Sequence, residues 1–222
     1  MMNAQKLYPD SLTGLPLREA FSPQFEAVLE KAQAENQSFA LGVMDLDVFI
    51  QVNEKYGHAI GDEVIIALVK IAQQFTADNA LIFRYGGDEL VLIFPDTPRE
   101  QAFLTMERIR AQVEAHEIDA DGGPVKFTVS AGIAAYPIDG GSETELMRKA
   151  TQALYRAKRG GANQVLLAFD EKMVPKTTHY TETQLERLSA LAGELEVTEA
   201  SLLREALDNL ITNYTLNKIE SE

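Results

Sequence analysis

The sequence predicts an α+β fold in which helices pack on a mostly antiparallel sheet, followed by a small C-terminal strand-helix-helix module. Up to about residue 169, short apolar runs of strand length alternate with longer amphipathic stretches. A glycine-rich turn joins two of these runs directly, which indicates a β-hairpin and therefore antiparallel pairing. After residue 170 the pattern changes to a polar linker and two short amphipathic helices. We therefore divide the chain into domains 1–170 and 171–222.

The first domain is predicted to follow the order α-β-α-α-β-β-α-β-α-β. Its clearest element is Phe39–Leu46, a short apolar run typical of a buried strand. Two helices follow this strand, and Gly57 and Gly61 lie where one is expected to stop and the next to start. The predicted elements are helices at 17–35, 48–56, 62–75, 98–113 and 143–159 and strands at 39–46, 81–85, 89–94, 125–136 and 164–169.

Composition and charge limit the classes of function. The chain of 222 residues carries 20 Lys and Arg against 34 Asp and Glu, which gives a net charge of −14. This excess of acid argues against broad nucleic-acid binding. The absence of cysteine excludes disulfides, cysteine nucleophiles and thiolate metal sites. No run approaches the roughly 20 apolar residues of a membrane span, so we expect a cytoplasmic protein without a membrane partner.

Two acidic clusters indicate where chemistry takes place. Asp45 and Asp47 end the first strand, where acids at i and i+2 share one face. Asp88 and Glu89 lie in the hairpin loop, directly after two glycines that let backbone pass close to a ligand. Because the hairpin brings Asp88 alongside the strand of Asp45, oxygen ligands from two strands suit Mg²⁺ completed by phosphate and water. Taken alone, the first pair indicates only solvated acids at a strand end.

The chain resembles the GGDEF family of diguanylate cyclases over about residues 10–169. Six segments carry the resemblance, in the family's order along the chain. They are Asp10-Ser11-Leu12-Thr13-Gly14-Leu15, Asp45-Leu46-Asp47-Val48-Phe49, Asn53 with Gly57-His58 and Gly61-Asp62, Arg84-Tyr85-Gly86-Gly87-Asp88-Glu89-Leu90, Thr128-Val129-Ser130-Ala131-Gly132-Ile133-Ala134 and Ala153-Leu154-Tyr155-Arg156-Ala157-Lys158. The resemblance implies the palm-like, ferredoxin-like sheet of nucleotidyl cyclases. It also implies that two domains, each holding one GTP, make cyclic di-GMP and two pyrophosphates.

The same resemblance implies roles for the acids. Asp45 and Asp88 would ligate Mg²⁺ or Mn²⁺, assisted by the backbone carbonyl of Leu46. Glu89 would support the metal or a proton transfer, which makes Asp88 and Glu89 the catalytic pair.

The resemblance further implies a GTP-binding set. The set consists of Phe49, Asn53, Asp62, Gly86, Gly87 and Lys158. Asn53 and Asp62 would read the guanine edge, because a carboxylate accepts from the N–H donors of guanine and an amide donates to its O6. The two glycines would wrap the nucleotide, and Lys158 would contact the terminal phosphates. A cation at the end of a helix is also favoured by the helix dipole alone.

Three positions depart from the family pattern. Ile50 replaces a lysine that steadies phosphate charge, and Ala162 replaces an arginine after the last long helix. Two missing cations beside a triphosphate cost about 3 kcal/mol of transition-state stabilisation, so we expect reduced turnover. A domain that binds GTP without turnover, as a sensor, is therefore an alternative. The product-inhibition motif Arg-x-x-Asp is replaced by Ala77-Asp78-Asn79-Ala80, and feedback at that position is not expected.

The C-terminal segment resembles a ribbon-helix-helix module, on the residues 176–180, 184–188 and 202–207. In that family two chains pair their strands and interlock their helices, and the ribbon often enters the DNA major groove. About 45 residues of this kind expose too much apolar surface to be stable alone, so we expect a homodimer. From residue 171 onward five basic residues face ten acidic ones, which disfavours DNA binding. A transcription regulator with a nucleotide-binding effector domain is the remaining alternative.

Overall fold

A buried eight-residue strand, β1 (Phe39–Leu46), forms the centre of the fold in the computed structural model. The structure describes residues 9–121, 123–168, 177–194, 198–200, 202–203, 206–207 and 210. It divides the chain into two compact units, residues 1–171 and residues 172–222. None of the helices within these described ranges is both long and apolar enough to cross a bilayer.

The helices and strands alternate in the first unit. The helices are α1 (Phe21–Glu35), α2 (Phe49–Tyr56), α3 (His58–Phe75), α4 (Arg99–Ala115) and α5 (Glu143–Arg159), with a 3₁₀ turn at Arg18–Ala20. The further strands are β2 (Leu81–Arg84), β3 (Glu89–Phe94), β4 (Glu117–Ile118), β5 (Val125–Lys126), β6 (Val129–Tyr136) and β7 (Val165–Leu167). This pattern confirms the predicted α+β class with helices packed on a central sheet.

Five strands form the main sheet, in the order β2-β3-β1-β6-β7. All neighbours are antiparallel except β6 and β7, which pair in parallel. The strands β4 and β5 form a separate antiparallel pair. Since β1 has a neighbour on both sides, its last residues are flanked by β3 and by β6 at the same end of the sheet.

Both faces of the sheet are covered, and side chains of β1 alternate between them. Ala40 and Met44 belong to a core shared with α2, α3 and α4, whereas Leu41 and Val43 belong to a core shared with α1 and α5. All four side chains are buried. A strand that is buried on both faces is expected to be a continuous hydrophobic run in the sequence, and β1 has this pattern.

The structure corrects several predicted boundaries. The predicted helix 17–35 begins only at Phe21, after the 3₁₀ turn. Helix α3 begins at His58 instead of residue 62, because Gly57 alone makes the break with its left-handed φ of 84°. Gly61 lies inside α3 and does not start it. The predicted strand 125–136 is interrupted at residues 127–128, and the short strand β4 was not predicted.

The second unit contains helix α6 (Glu182–Glu194), close to the predicted helix 184–195. Residues 199–200, 202–203, 206–207 and 210 are helical, within or next to the predicted helix 201–214. Of the predicted linker 172–178 and the extended piece that follows it, residues 172–176 lie outside the described residues, as do residues 211–214 of the predicted second helix. Residues 177–180 are described and form neither strand nor helix, so the expected strand is not present there. Leu185 and Leu191 of α6 are exposed, as are Leu207 and Leu210. The ribbon-helix-helix pairing itself stays a prediction.

We predict that Gly132→Ala destabilises the first unit by about 2–3 kcal/mol, because overpacking in a dense core is not relieved by small shifts. A Cβ at Gly132 would collide with the carbonyl oxygen of Ala150 and the amide nitrogen of Leu154, where α5 lies directly on β6. Urea unfolding followed by circular dichroism measures the change. Gly87→Ala is the control, since a Cβ at Gly87 meets no atom within 4 Å. An equal loss in both variants would contradict the prediction.

Candidate functional site

Acidic residues from two neighbouring strands meet at the C-terminal end of β1. Asp45 lies directly opposite Glu89 in the register of β1 and β3, and residues opposite each other in a sheet share one face. The amide of Leu46 donates to the carbonyl of Asp88 at 3.4 Å. The ammonium of Lys158, in the last turn of α5, is hydrogen-bonded to the Asp45 carboxylate. The predicted metal ligands, the predicted catalytic pair and Lys158 therefore lie together.

The electrostatics of this cluster favour a cation. Burial raises the pKa of the Asp45 carboxyl, and the negative charges of Asp88 and Asp47 add to this, against the opposing effect of Lys158. Burial also raises the pKa of Glu89, and the charges of Asp45 and Asp88 raise it further. The ionised forms repel one another in a partly desolvated position, so a positive charge placed among them is stabilised.

The donor set fits a hard divalent ion. Lys158 Nζ contacts the Asp45 carboxylate and lies 3.4 Å from the carbonyl oxygen of Leu46. A cation thus already sits against two of the three predicted metal ligands. Within the described ranges, no three Asp, Glu or His side chains form a closed metal cage. Mg²⁺ does not need one, because it commonly uses one or two carboxylates and completes its shell with water and substrate phosphate.

A partly buried ion pair between Arg84 and Asp10 holds the hairpin loop that carries Asp88. Arg84 donates from Nη2 to the carbonyl of Gly87 at 2.7 Å and from Nε to the same carbonyl at 3.2 Å. Its Nη1 donates to Asp10 Oδ2 at 2.8 Å, and Thr13 donates to the same oxygen from its amide and its hydroxyl. The peptide that precedes Asp88 is therefore fixed from the N-terminal turn. The sequence motifs contain Asp10 and Arg84, but the pattern assigned them no role.

The two glycines of the loop leave its outer surface open. Neither Gly86 nor Gly87 adopts a left-handed φ, so the turn itself does not require glycine there. A Cβ at Gly87 would point into open space, and one at Gly86 would lie 3.3 Å from the Cβ of Glu89. Their lack of side chains keeps the approach to the acids clear.

The residues predicted to bind guanine lie on α2 and α3, the two helices that follow β1 along the chain. A Cβ at Gly61 would collide with the Oδ1 of Asn53 and would lie 3.3 Å from the Phe49 ring. This close approach explains the glycine inside α3. The Oδ1 of Asn53 is buried and has no hydrogen-bond partner among the residues described. Asp62 follows Gly61 on α3 and is exposed, so Phe49, Asn53 and Asp62 come from one local unit.

Sequence reasoning missed the role of Asp47. Its side chain is only 5% exposed and accepts hydrogen bonds from Thr128 Oγ1 at 2.7 Å, Ser130 Oγ at 2.8 Å and the amide of Asn163 at 3.0 Å. Asp47 is therefore not a solvated strand-end acid, which is what the Asp-x-Asp pair taken alone indicates. A possible signal was the pair of hydroxyl residues Thr128 and Ser130, but only the register of β1 with β6 brings them close.

Two of the departures from the family pattern lie in segments that adjoin this site, the first turn of α2 and the turn after α5. Ile50 is 72% exposed on the first turn of α2. The preceding Val48 is 61% exposed and has a left-handed φ of 51°, a strained conformation for a β-branched residue. Ala162 has a left-handed φ of 59° in the turn after α5.

Two cavities open elsewhere, at the edge of the sheet formed by β2. Their volumes are about 400 and 480 Å³, and both are lined by Gln24 and Leu81. Ala77, Asp78 and Ala80 line the smaller one, where the family's inhibition motif would lie. Neither cavity is lined by Asp45, Asp88 or Glu89, so the acidic cluster is distinguished by its charge and not by a cavity.

Comparison with known proteins gives the same assignment for the first unit. The family model described as "Diguanylate cyclase, GGDEF domain" matches residues 7–164. The diguanylate cyclase DgcP of Pseudomonas aeruginosa is 35% identical over 164 residues, and DgcM of Escherichia coli is 38% identical over 165 residues. These matches cover 74% and 72% of this chain, but the chain spans only 24% and 38% of those two proteins.

A solved structure has the same fold. It is the GGDEF domain of DgcB from Caulobacter crescentus in complex with c-di-GMP, which is 31% identical with a TM-score of 0.69. The match covers 77% of this chain and 98% of that one.

We predict that Glu89→Gln raises the melting temperature at pH 7.5 in the absence of divalent ions. The raised pKa of Glu89 means that the folded state favours its protonated form. That stabilising contribution is present below the ordinary glutamate pKa of about 4.3 and is lost as pH rises through the folded-state value. The gain should therefore disappear near pH 4, as differential scanning calorimetry across pH can test.

Glu145→Gln is the control of opposite sign for this titration. A backbone hydrogen bond from Gly141 and a side-chain bond from Ser142 lower the pKa of Glu145. Its stabilising contribution is present above the ordinary pKa and is lost on acidification. A stabilisation at pH 7.5 in both variants would contradict our account of Glu89.

Proposed function

The chain belongs to the GGDEF diguanylate cyclase family, and on that premise we propose that it condenses two GTP molecules into cyclic di-GMP and two pyrophosphates. The proposal rests above all on one observation, the convergence of Asp45, Asp88 and Glu89 at one end of the sheet with Lys158 beside them. Carboxylates gathered beside a cation on an open surface suit a metal-bound triphosphate. With GTP as substrate, the expected compartment is the cytoplasm.

Asp45, Asp88 and the carbonyl of Leu46 would hold Mg²⁺ or Mn²⁺. When bound, the ion neutralises phosphate charge and polarises the reacting phosphorus. Lys158 would then leave Asp45 and contact the terminal phosphates, since its long side chain is 37% exposed and free to turn toward a ligand. Arg84 holds the loop of Asp88 still through the carbonyl of Gly87, so the acid needs little rearrangement on binding.

Guanine recognition would come from α2 and α3. The buried Oδ1 of Asn53 faces Gly61, which leaves the amide nitrogen to donate to guanine O6. The exposed carboxylate of Asp62 would accept from guanine N1–H and N2–H₂, donors that adenine lacks. The ring of Phe49 would contact the guanine base. This arrangement favours GTP over ATP.

The reaction would join two half-sites. The 3′-hydroxyl oxygen of one GTP bonds to the α-phosphorus of the other, and the bond from that phosphorus to the pyrophosphate oxygen breaks. The hydroxyl proton leaves to a carboxylate or to water, and the same exchange in the second half-site closes the ring. Glu89 is suited to accept this proton, because its raised pKa brings it nearer to neutral pH.

A GTP-binding domain with little or no turnover is the second candidate. Ile50 and Ala162 support it, because neither supplies the cation that the family places beside the triphosphate. The strongly exposed Ile50 leaves that part of the site without charge. Binding without product would make the protein a nucleotide sensor.

We predict that purified protein with GTP and Mg²⁺ forms cyclic di-GMP and pyrophosphate, measured by chromatography and a pyrophosphate assay. Asp88→Ala should abolish product. Ile50→Lys should raise kcat/KM about tenfold or more, the scale of one well-placed electrostatic group, and its exposure makes a folding defect unexpected. GTP binding without product in wild type and in Ile50→Lys would favour the sensor.

We propose that the second unit dimerises the protein and so brings two GTP sites together. Support comes from exposed leucines on α6 and on the following helical residues, which a ribbon-helix-helix partner would cover. A tether raises the local concentration of two domains into the ~mM range. The acidic balance of this segment disfavours DNA as its partner.

We expect Leu185→Glu to shift the full chain from dimer to monomer, because a charge on an apolar interface must be desolvated. Leu185 is 44% exposed. Light scattering coupled to size exclusion measures the mass. Gln184→Glu adds the same charge one residue earlier and should leave the dimer intact. An unchanged dimer in Leu185→Glu would remove this surface from the proposal.

A further inference from the structure

We propose that Asp47 is a positioning residue, which holds the turn after α5 so that Lys158 reaches the terminal phosphates of GTP. The inference rests on the proposed function, because it needs a bound triphosphate. In that function Asp47 neither binds the metal ion nor accepts the proton. Asp47 lies two residues beyond Asp45, but its hydrogen bonds lead away from the metal ligands and toward α5.

The carboxylate of Asp47 is bound on three sides. Oδ1 accepts from Ser130 Oγ at 2.8 Å, and Oδ2 accepts from Thr128 Oγ1 at 2.7 Å and from the amide of Asn163 at 3.0 Å. The Asp47 amide also donates to the carbonyl of Thr128 at 2.9 Å. A buried charged acceptor makes stronger hydrogen bonds than a neutral one, so the end of β1 is tied firmly to β6 and to the turn.

The turn transmits this constraint to the last residues of α5. Asn163 has a left-handed φ of 50°, and its neighbour Ala162 donates through its amide to the carbonyl of Ala157 at 3.1 Å. Gln164 Nε2 donates to the same carbonyl at 2.8 Å. Since Ala157 directly precedes Lys158, the backbone that carries the ammonium is fastened to Asp47 through a short chain of hydrogen bonds.

Two further contacts hold the turn from its other side. The Asn163 side chain accepts from Arg110 Nη1 at 2.9 Å and donates to Glu114 Oε1 at 2.8 Å. The turn is thus clamped between β1 and α4. Because Ala162 supplies no cation, the contact with the terminal phosphates depends on Lys158. The position of Lys158 in turn depends on how firmly this turn is held.

The test measures binding of an unreactive GTP analogue with a methylene bridge between the α- and β-phosphates, and of GMP, by calorimetry with Mg²⁺ on the full chain. Asp47→Ala should weaken the analogue about tenfold, the scale of outer-shell positioning groups, and leave GMP unchanged. Asp47→Asn should restore most of the affinity, because the amide oxygen still accepts from Asn163 and the Ser130 hydroxyl can reverse its role.

A double-mutant cycle separates positioning from general support. In a Lys158→Met background, Asp47→Ala should cause no further loss, because both changes remove the same phosphate contact. Losses that multiply, or an equal loss for GMP, would overturn the inference. So would wild-type affinity in Asp47→Ala.

A second variant decides the matter if Asp47→Ala does not fold. Thr128→Val removes the hydroxyl that donates to Asp47 Oδ2 and keeps the side chain close to its size. It should weaken binding of the analogue and leave binding of GMP unchanged, and unchanged affinities for both ligands would overturn the inference. If the wild type does not bind the analogue at all, the proposed function fails and the inference fails with it. Binding by the wild type with additive losses overturns the inference alone.

Discussion

Negative charge gathered at the end of a buried strand is the constraint on which this site depends. Asp45 and Glu89 lie opposite each other across β1 and β3, and Asp88 directly precedes Glu89 in the hairpin loop. Burial raises the pKa of both Asp45 and Glu89, and the negative charge of Asp88 raises both pKa values further. Repulsion of this kind is typical of a binding site for a positively charged ligand, because a cation placed among partly desolvated carboxylates is strongly stabilised. Lys158 supplies part of that relief through Asp45.

A frame of hydrogen bonds keeps these charges in place without a ligand. Arg84 links the carbonyl before Asp88 to the N-terminal turn through Asp10. Asp47 links the end of β1 to β6 and to the turn after α5. Both arrangements use an ionisable side chain, partly buried in Arg84 and buried in Asp47, to fix backbone. Sites held in this way lose little free energy to rearrangement when the ligand arrives.

Under the proposed function, the two departures at Ile50 and Ala162 concern charge near the phosphates. Ile50 is 72% exposed, so a lysine at this position would add charge without disturbing a buried contact. Ala162 lies in a turn whose shape is held by Asn163 and Gln164. Under the proposed function, turnover could therefore differ from that of relatives while the fold stays the same.

Local pattern was sufficient for the identity and order of most elements. β1 and α5 begin and end at the predicted residues, because an apolar run bounded by polar residues and a helix with a serine cap are specified by neighbours in sequence. The acidic pairs were also visible locally, since Asp45 and Asp88 each lie in a short motif. The hairpin predicted that Asp88 lies beside the strand of Asp45, but the register of β1 and β3, which places Asp45 opposite Glu89, is seen only in the structure.

The features that the sequence did not predict depend on contacts between segments that are distant along the chain. Gly61 suggested a helix start, yet it lies inside α3 because Asn53 occupies the space of its side chain. Asp47 suggested a solvated acid, yet hydroxyls more than 80 residues away and the turn at Asn163 bury it. Periodicity reports which face of an element is apolar, because that depends on neighbours a few residues apart. Which polar groups find partners is decided only when the sheet closes, because strand pairing and helix packing set those distances.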